Sequence, residues 1–263
     1  MKSAYCWPVY GEQDEICFLY YPSRAAKHVA DALGLSPPPG AVLQTNGYSA
    51  YAQYARKTGM THAQCWAHSR PMLIEAQDIE PISAAQALDW IGALYAIETQ
   101  IRDEGLVGNA KCAHCQEQAK PIVDHFFTWI DQQVDRQGFL PSSPFLGELV
   151  YIRERRVGLS VYLDDPEVAI DTNHLERALR LIPINAATGC SHGPNRVPSM
   201  SASSRAYWVT CRLLDINPYD YFVDGLQRVG QGPASLGYEL TPRIWKQRFA
   251  GNPLRSDLHQ TTR

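Results

Sequence analysis

No run of about eighteen consecutive apolar residues occurs in this 263-residue sequence, which argues against a membrane-spanning helix. An excess of basic residues is also missing. Lys and Arg total 24 against 27 Asp and Glu, a formal net charge of -3, so no whole-chain positive field advertises nucleic acid. Any DNA contact has to come from a local patch such as Arg153-Glu154-Arg155-Arg156, a kind of run that ordinarily forms a solvated helix face. The seven cysteines are odd in number and scattered, which excludes a disulfide framework and fits reduced thiols in a cytoplasm. The N-terminus lacks the charged and apolar regions of a signal peptide, and there is neither an internal repeat nor a low-complexity tract.

What remains fits a soluble globular protein with a substantial core: 45% hydrophobic and 19% charged residues. Ala4–Tyr10 and Ile16–Tyr21 are rich in β-branched and aromatic residues and flank the polar turn Gly11–Glu15, a β-hairpin pattern. A helix over Arg24–Leu33, ending at Gly34, follows. Ala41–Gln44 reads as a short buried strand running into Thr45-Asn46-Gly47-Tyr48, a turn at a strand's carboxyl end, where open α/β sheets gather ligands. A helix over Ala50–Arg56 and a strand over His62–Trp66 complete a parallel β-α-β unit. Long amphipathic segments come next, over Ala84–Glu104, Cys112–Gln137 and Phe145–Leu163. The pairs Cys112/Cys115 with His114 and Cys65 with His68 have ligand-like spacing, but a structural zinc needs four ligands, and Cys65 in a strand is more simply a core residue.

Asp171-Thr172-Asn173-His174-Leu175-Glu176-Arg177-Ala178-Leu179-Arg180 organises the rest. The Asp171 carboxylate can take up free amides of a first helical turn. Leu175, Ala178, Leu179 and Ile182 recur at helical spacing, and Pro183 closes the element. Glu176 is either one half of an i,i+4 surface ion pair with Arg180 or a metal-binding glutamate whose arginine neighbours touch a phosphate backbone. Asn185–Ala206 has Gly, Pro and many serines with no period, the pattern of a long loop. Helical patterning returns at Trp208–Leu214, Asn217–Val229 and around Trp245.

Taken together, Leu43–Tyr48, Cys65–His68, Asp171–Arg180, Thr210–Leu213, Asn217–Tyr219, Leu240–Trp245 and Asn252–His259 resemble the transposases of the bacterial insertion-sequence-66 family. The resemblance implies an α/β fold with a partial RNase H-like sheet, a large helical insertion and a helical C-terminal region. It also implies an Asp-Asp-Glu site holding Mg2+ for cleavage and transfer of DNA strands at transposon ends. It places the catalytic, metal-binding glutamate at Glu176, DNA contacts at Arg177 and Arg180, and the second aspartate at position 46.

The sequence departs from that pattern. Position 46 is Asn46, which keeps an oxygen but loses the charge. The first aspartate would lie on a strand ahead of the hairpin, which a chain starting at Met1 is expected to lack; Asp14 and Asp31 do not match the motif. A family segment read one base out of frame accounts for Thr188–Pro194 and Ser201–Ala206, so two compensating frameshifts are expected there. The expected organisation is residues 1–66 as the N-terminal part of the sheet, 67–165 as the insertion, 166–184 as the glutamate helix, 185–207 as an aberrant loop and 208–263 as the C-terminal helices. The expected function is transposition of an insertion sequence, with this copy unable to cut. The alternative is a non-catalytic DNA-binding or subunit-binding remnant that modulates an intact transposase. Expected partners are DNA and a second copy or an intact transposase, with no membrane.

Overall fold

The computed structural model describes residues 5–11, 15–136, 143–179, 198–230 and 237–256. The tip of the hairpin at 12–14, the far end of the expected Cys112–Gln137 helix, Arg180, the closure at Pro183, Thr188–Pro194 and the tail from 257 lie outside them. The chain folds as two compact units, Ala25–His174, and Met1–Arg24 with Leu175–Arg263. Among the described residues both are mixed α/β and predominantly helical, with one two-stranded sheet each.

In the larger unit, α1 (Lys27–Leu33) stops at Gly34, whose φ of 76° ends the helix, and the Tyr54 hydroxyl donates to the Gly34 carbonyl at 2.8 Å. Strand β3 (Val42–Thr45), helix α2 (Ser49–Thr58) and strand β4 (Thr61–Gln64) form the expected parallel β-α-β unit, with Val42 opposite Thr61 and Thr45 opposite Gln64. Strand β4 ends earlier than the pattern suggests, because Trp66–Ser69 turn into a 3-10 segment. Trp66 is fully buried; its indole N–H donates to the Leu159 carbonyl at 2.8 Å, and its ring lies 5.9 Å from that of Phe126.

The helical block lies in the same compact unit. Helix α3 spans Pro71–Ala76, and α4 (Pro81–Asp103) buries Ala84, Ala87, Ile91, Leu94, Ile97 and Ile101 at three-to-four-residue spacing, one face of a 3.6-residue period. Helix α5 (Gly108–His114) passes through a π turn at Cys115–Ala119 into α6 (Lys120–Asp135). Pro121 explains the wider turn: it has no N–H, and its ring crowds the carbonyl four residues back. The long helix expected through Phe145–Leu163 is two, α7 (Pro144–Glu154) and α8 (Arg156–Asp164). At the break, Arg155 Nη1 donates to the Tyr151 carbonyl at 2.9 Å, and the Arg155 amide turns to Ile152 at 3.0 Å. Gly158 of α8 lets the helix lie close to β4; a Cβ there would come within 2.9 Å of the His62 carbonyl oxygen.

In the second unit, β1 (Tyr5–Tyr10) and β2 (Ile16–Tyr21) form the expected antiparallel hairpin, with Tyr10 opposite Ile16. Ile16 and Phe18 are buried and Cys17 between them is exposed, the period of two of a half-buried strand. They pack on Val209 and Leu213 of the second helix of this unit, which follows α9 (Asn173–Leu179). Helix α10 spans Pro198–Leu213, so residues 198–207, expected as loop, are helical. Pro198 is pre-set for a first helical position, and Met, Ser, Ala and Arg tolerate a helix that longer-range packing of Val209 and Cys211 holds in place. Helix α11 (Pro218–Val229) is capped by Asn217, and α12 (Pro242–Arg248) contributes Trp245 to a core with Cys211, Ile216, Tyr221 and Leu240. The hairpin and the C-terminal helices fall in one unit, and the β-α-β unit and the helical block in the other.

Candidate functional site

Strand β3 delivers Asn46 to the turn at its carboxyl end. Asn46 is exposed, and its Oδ1 accepts the Tyr48 amide at 3.4 Å, an Asx turn. Gly47 has a φ of 85°, which suits glycine, and its amide donates to Thr45 Oγ1 at 3.4 Å. Thr45 is buried, and its hydroxyl hydrogen-bonds His62 Nε2 at 2.8 Å. Burial and then the Arg155 charge hold the His62 imidazole below its ordinary pKa.

Sequence reasoning missed what braces this turn. Arg155 Nη2 donates to the Gly47 carbonyl at 3.4 Å, and its guanidinium lies 3.5 Å from the Tyr151 ring centroid. Glu148, on the same helix as Tyr151, is buried; desolvation pushes its carboxyl up to about 7 against the opposing pull of Arg155. The signal for Arg155 was hidden in a charge run. Its neighbours behave as that run predicts: Arg156 reaches Asp131 at 3.8 Å and Asp124 at 3.9 Å, and Arg153 reaches Asp135 at 3.9 Å.

The donors around the turn are an amide, hydroxyls and carbonyls beside a fixed guanidinium. A divalent cation of the magnesium kind takes hard, preferably anionic oxygens, so this donor set does not fit one. Among the described residues, no group of three His, Cys, Asp or Glu side chains could hold a metal. The ligand-like cysteine pairs serve the fold instead. Cys112 donates to the Asp164 carbonyl at 3.5 Å, Cys115 is buried, and Cys65 accepts from Thr172.

Glu176 lies in the first turn of α9, where a carboxylate complements the helix dipole, and it is half-buried. Asp171 plays the expected capping part: its Oδ1 accepts the Asn173 amide at 2.9 Å, and its Oδ2 accepts the Tyr95 hydroxyl at 2.9 Å. Arg177 is exposed on that helix, and Arg180 lies outside the described residues. Asn46 belongs to the larger unit and Glu176 to the smaller one. No helix among the described residues is long and apolar enough to cross a membrane.

The chain is 30% identical over 228 residues to an uncharacterized protein, y4hP, of Sinorhizobium fredii, covering 80% of this chain and 41% of that one. Another uncharacterized protein of the same organism, y4qI, is 29% identical over 232 residues, covering 84% of this chain and 41% of its own length. The chain thus spans about two fifths of the length of these relatives. No solved structure matches significantly. The sequence profile of the IS66 family of transposases matches residues 1–188, well over half of the 263, and the chain belongs to that family.

Proposed function

We propose that this chain serves the transposition of an insertion sequence, with DNA as its partner, and that this copy does not cut DNA on its own. The family supports the first half. The second half rests on one observation, the exposed amide of Asn46 where the resemblance puts the second aspartate. The three-carboxylate site would need an anion there, and the turn instead carries a neutral side chain with Arg155 on its backbone. On this reading Glu176 is the family's glutamate, and Arg177 and Arg180 contact DNA phosphates. The parallel β3–β4 pair bridged by α2 is the type of unit from which an RNase H-like sheet is assembled.

The test is strand nicking of oligonucleotides carrying the element's ends, in magnesium, by the purified chain. No nicking is expected from the native sequence. Nicking by the native chain that Glu176→Ala abolishes would overturn the reading.

The alternative is a non-catalytic module that binds DNA or an intact transposase. The integrity of the Asn46 turn favours it: Thr45, His62, Tyr151 and Arg155 still brace a turn that has lost its charge. Gel shift with the element's ends, together with co-purification with a full-length relative, separates a binding module from a silent remnant.

A further inference from the structure

Every residue from Ala169 to Asn173 is fastened by a hydrogen bond. Gln44 Nε2 donates to the Ala169 carbonyl at 2.6 Å, and the Trp66 amide to the Ile170 carbonyl at 3.1 Å. Asp171 takes the Tyr95 hydroxyl and the Asn173 amide, each at 2.9 Å. Between them, Thr172 donates both its amide and its hydroxyl to Cys65 Sγ, each at 3.3 Å. Cys65 is 3% exposed and Thr172 5%, so water does not compete for these donors.

A thiol is a weak acceptor, and a buried cysteine ordinarily serves as a small apolar filler. Here it receives an amide that would otherwise be a buried, unsatisfied donor. Burial works against ionisation, but hydrogen bonds from His68 and Thr172 outweigh it and bring the Cys65 thiol below its ordinary pKa.

We propose that Cys65 is a positioning residue: by accepting both Thr172 donors, its sulfur fixes the segment that leads into α9, the helix that carries Glu176. Cys65 and His68 come from the 65–68 motif, and the contact gives that motif a task the Asn46 turn does not need. The consequence for cleavage rests on Glu176 being the family's glutamate; the anchoring itself does not.

Hydrogen exchange of the full chain separates an acceptor from a filler. Cys65→Val keeps the site filled with a slightly larger apolar side chain and removes the acceptor, while Cys65→Ser keeps an acceptor in a smaller side chain. The Thr172 and Asn173 amides are expected to exchange about tenfold faster in Cys65→Val, the order of one lost buried hydrogen bond, with α4 amides unchanged. Cys65→Ser is expected to retain most of the protection. Native-like protection in Cys65→Val would overturn the proposal, as would greater loss in Cys65→Ser than in Cys65→Val.

A second pair leaves Cys65 in place. Thr172→Val is expected to raise the Cys65 thiol pKa, followed by the shift of its 13C-labelled Cβ, whereas Thr172→Ser leaves it low; an unmoved titration in Thr172→Val would equally overturn the proposal. Both measurements read the anchoring whether or not the chain cuts DNA.

Discussion

The fully buried Asp224 carboxylate accepts the Trp245 indole N–H at 2.6 Å and, on the same oxygen, the Arg228 Nε–H at 2.6 Å. Its other oxygen accepts the Leu254 amide at 2.5 Å, so one side chain ties α11, α12 and the segment beyond into a single knot. Burial raises the Asp224 pKa, but the hydrogen bonds from Arg228, the Leu254 amide and Trp245 outweigh it and leave the group below its ordinary 3.8.

Asp224→Ala is expected to destabilise the C-terminal helices by about 3 kcal/mol, because the Trp245 and Arg228 donors lose a buried partner. The sign with pH follows from the depressed folded-state pKa. The stabilisation is fully present above 3.8 and is lost as the pH falls through the folded value. Urea melts of both chains at neutral and acid pH measure it. Equal stability of the two at pH 7 would refute it.

Glu148 runs the other way. Its folded pKa of about 7 stands above the ordinary 4.5, so the native state holds a proton that the unfolded chain gives up. Stability from this group is complete below 4.5 and declines as the pH rises to about 7, by on the order of 3 kcal/mol. Glu148→Gln should flatten that decline and leave the chain more stable than the native sequence at pH 8. A native chain as stable at pH 8 as at pH 5, other groups accounted for by the variant, would refute it.

Gly47→Ala combines two costs at one position. The φ of 85° disfavours any side chain, and an added Cβ would collide with the Tyr151 hydroxyl and stand 3.2 Å from Arg155 Nε. A loss of about 2–3 kcal/mol is expected in a denaturant titration. Tyr151→Phe in the same background should recover part of it by removing the nearest atom.

Arg155→Met removes the charge from beside the β3 turn. The His62 pKa is held down first by burial and second by Arg155, so the variant should move it upward while burial keeps it below its ordinary value. NMR titration of the imidazole reads the direction. An unchanged value would mean that Arg155 does not act on the turn.

The elements were largely legible in the chain because their signals are local. The hairpin showed in two runs rich in β-branched and aromatic residues either side of a polar turn, and the β3–α2–β4 unit showed in two short strand-like segments either side of a helix. The cap at Asp171 showed in its place ahead of the periodic residues, since a carboxylate needs only the next few amides. Helix α10 was not legible over 198–207, because serines carry no period and the residues that hold the helix lie further along, at Val209 and Cys211. The break at Arg155 was equally hidden, as no Pro or Gly marks it and its cause is a side chain reaching back to Tyr151.

By itself the sequence determined membership of a family, most of the order of strands and helices, and the neutral amide of Asn46 at the end of β3. Those properties belong to residue identity and short-range spacing. Only the tertiary structure decided which cation braces the Asn46 turn, which of the three arginines in the 153–156 run is turned inward, and what Cys65 is for. These are contacts between residues about a hundred positions apart, such as Cys65 with Thr172 and Gly47 with Arg155, and no local pattern specifies them. They exist because burial takes water from the Cys65–Thr172 pair and, in part, from the Gly47–Arg155 pair, so whichever complementary group the packing brings near becomes a partner.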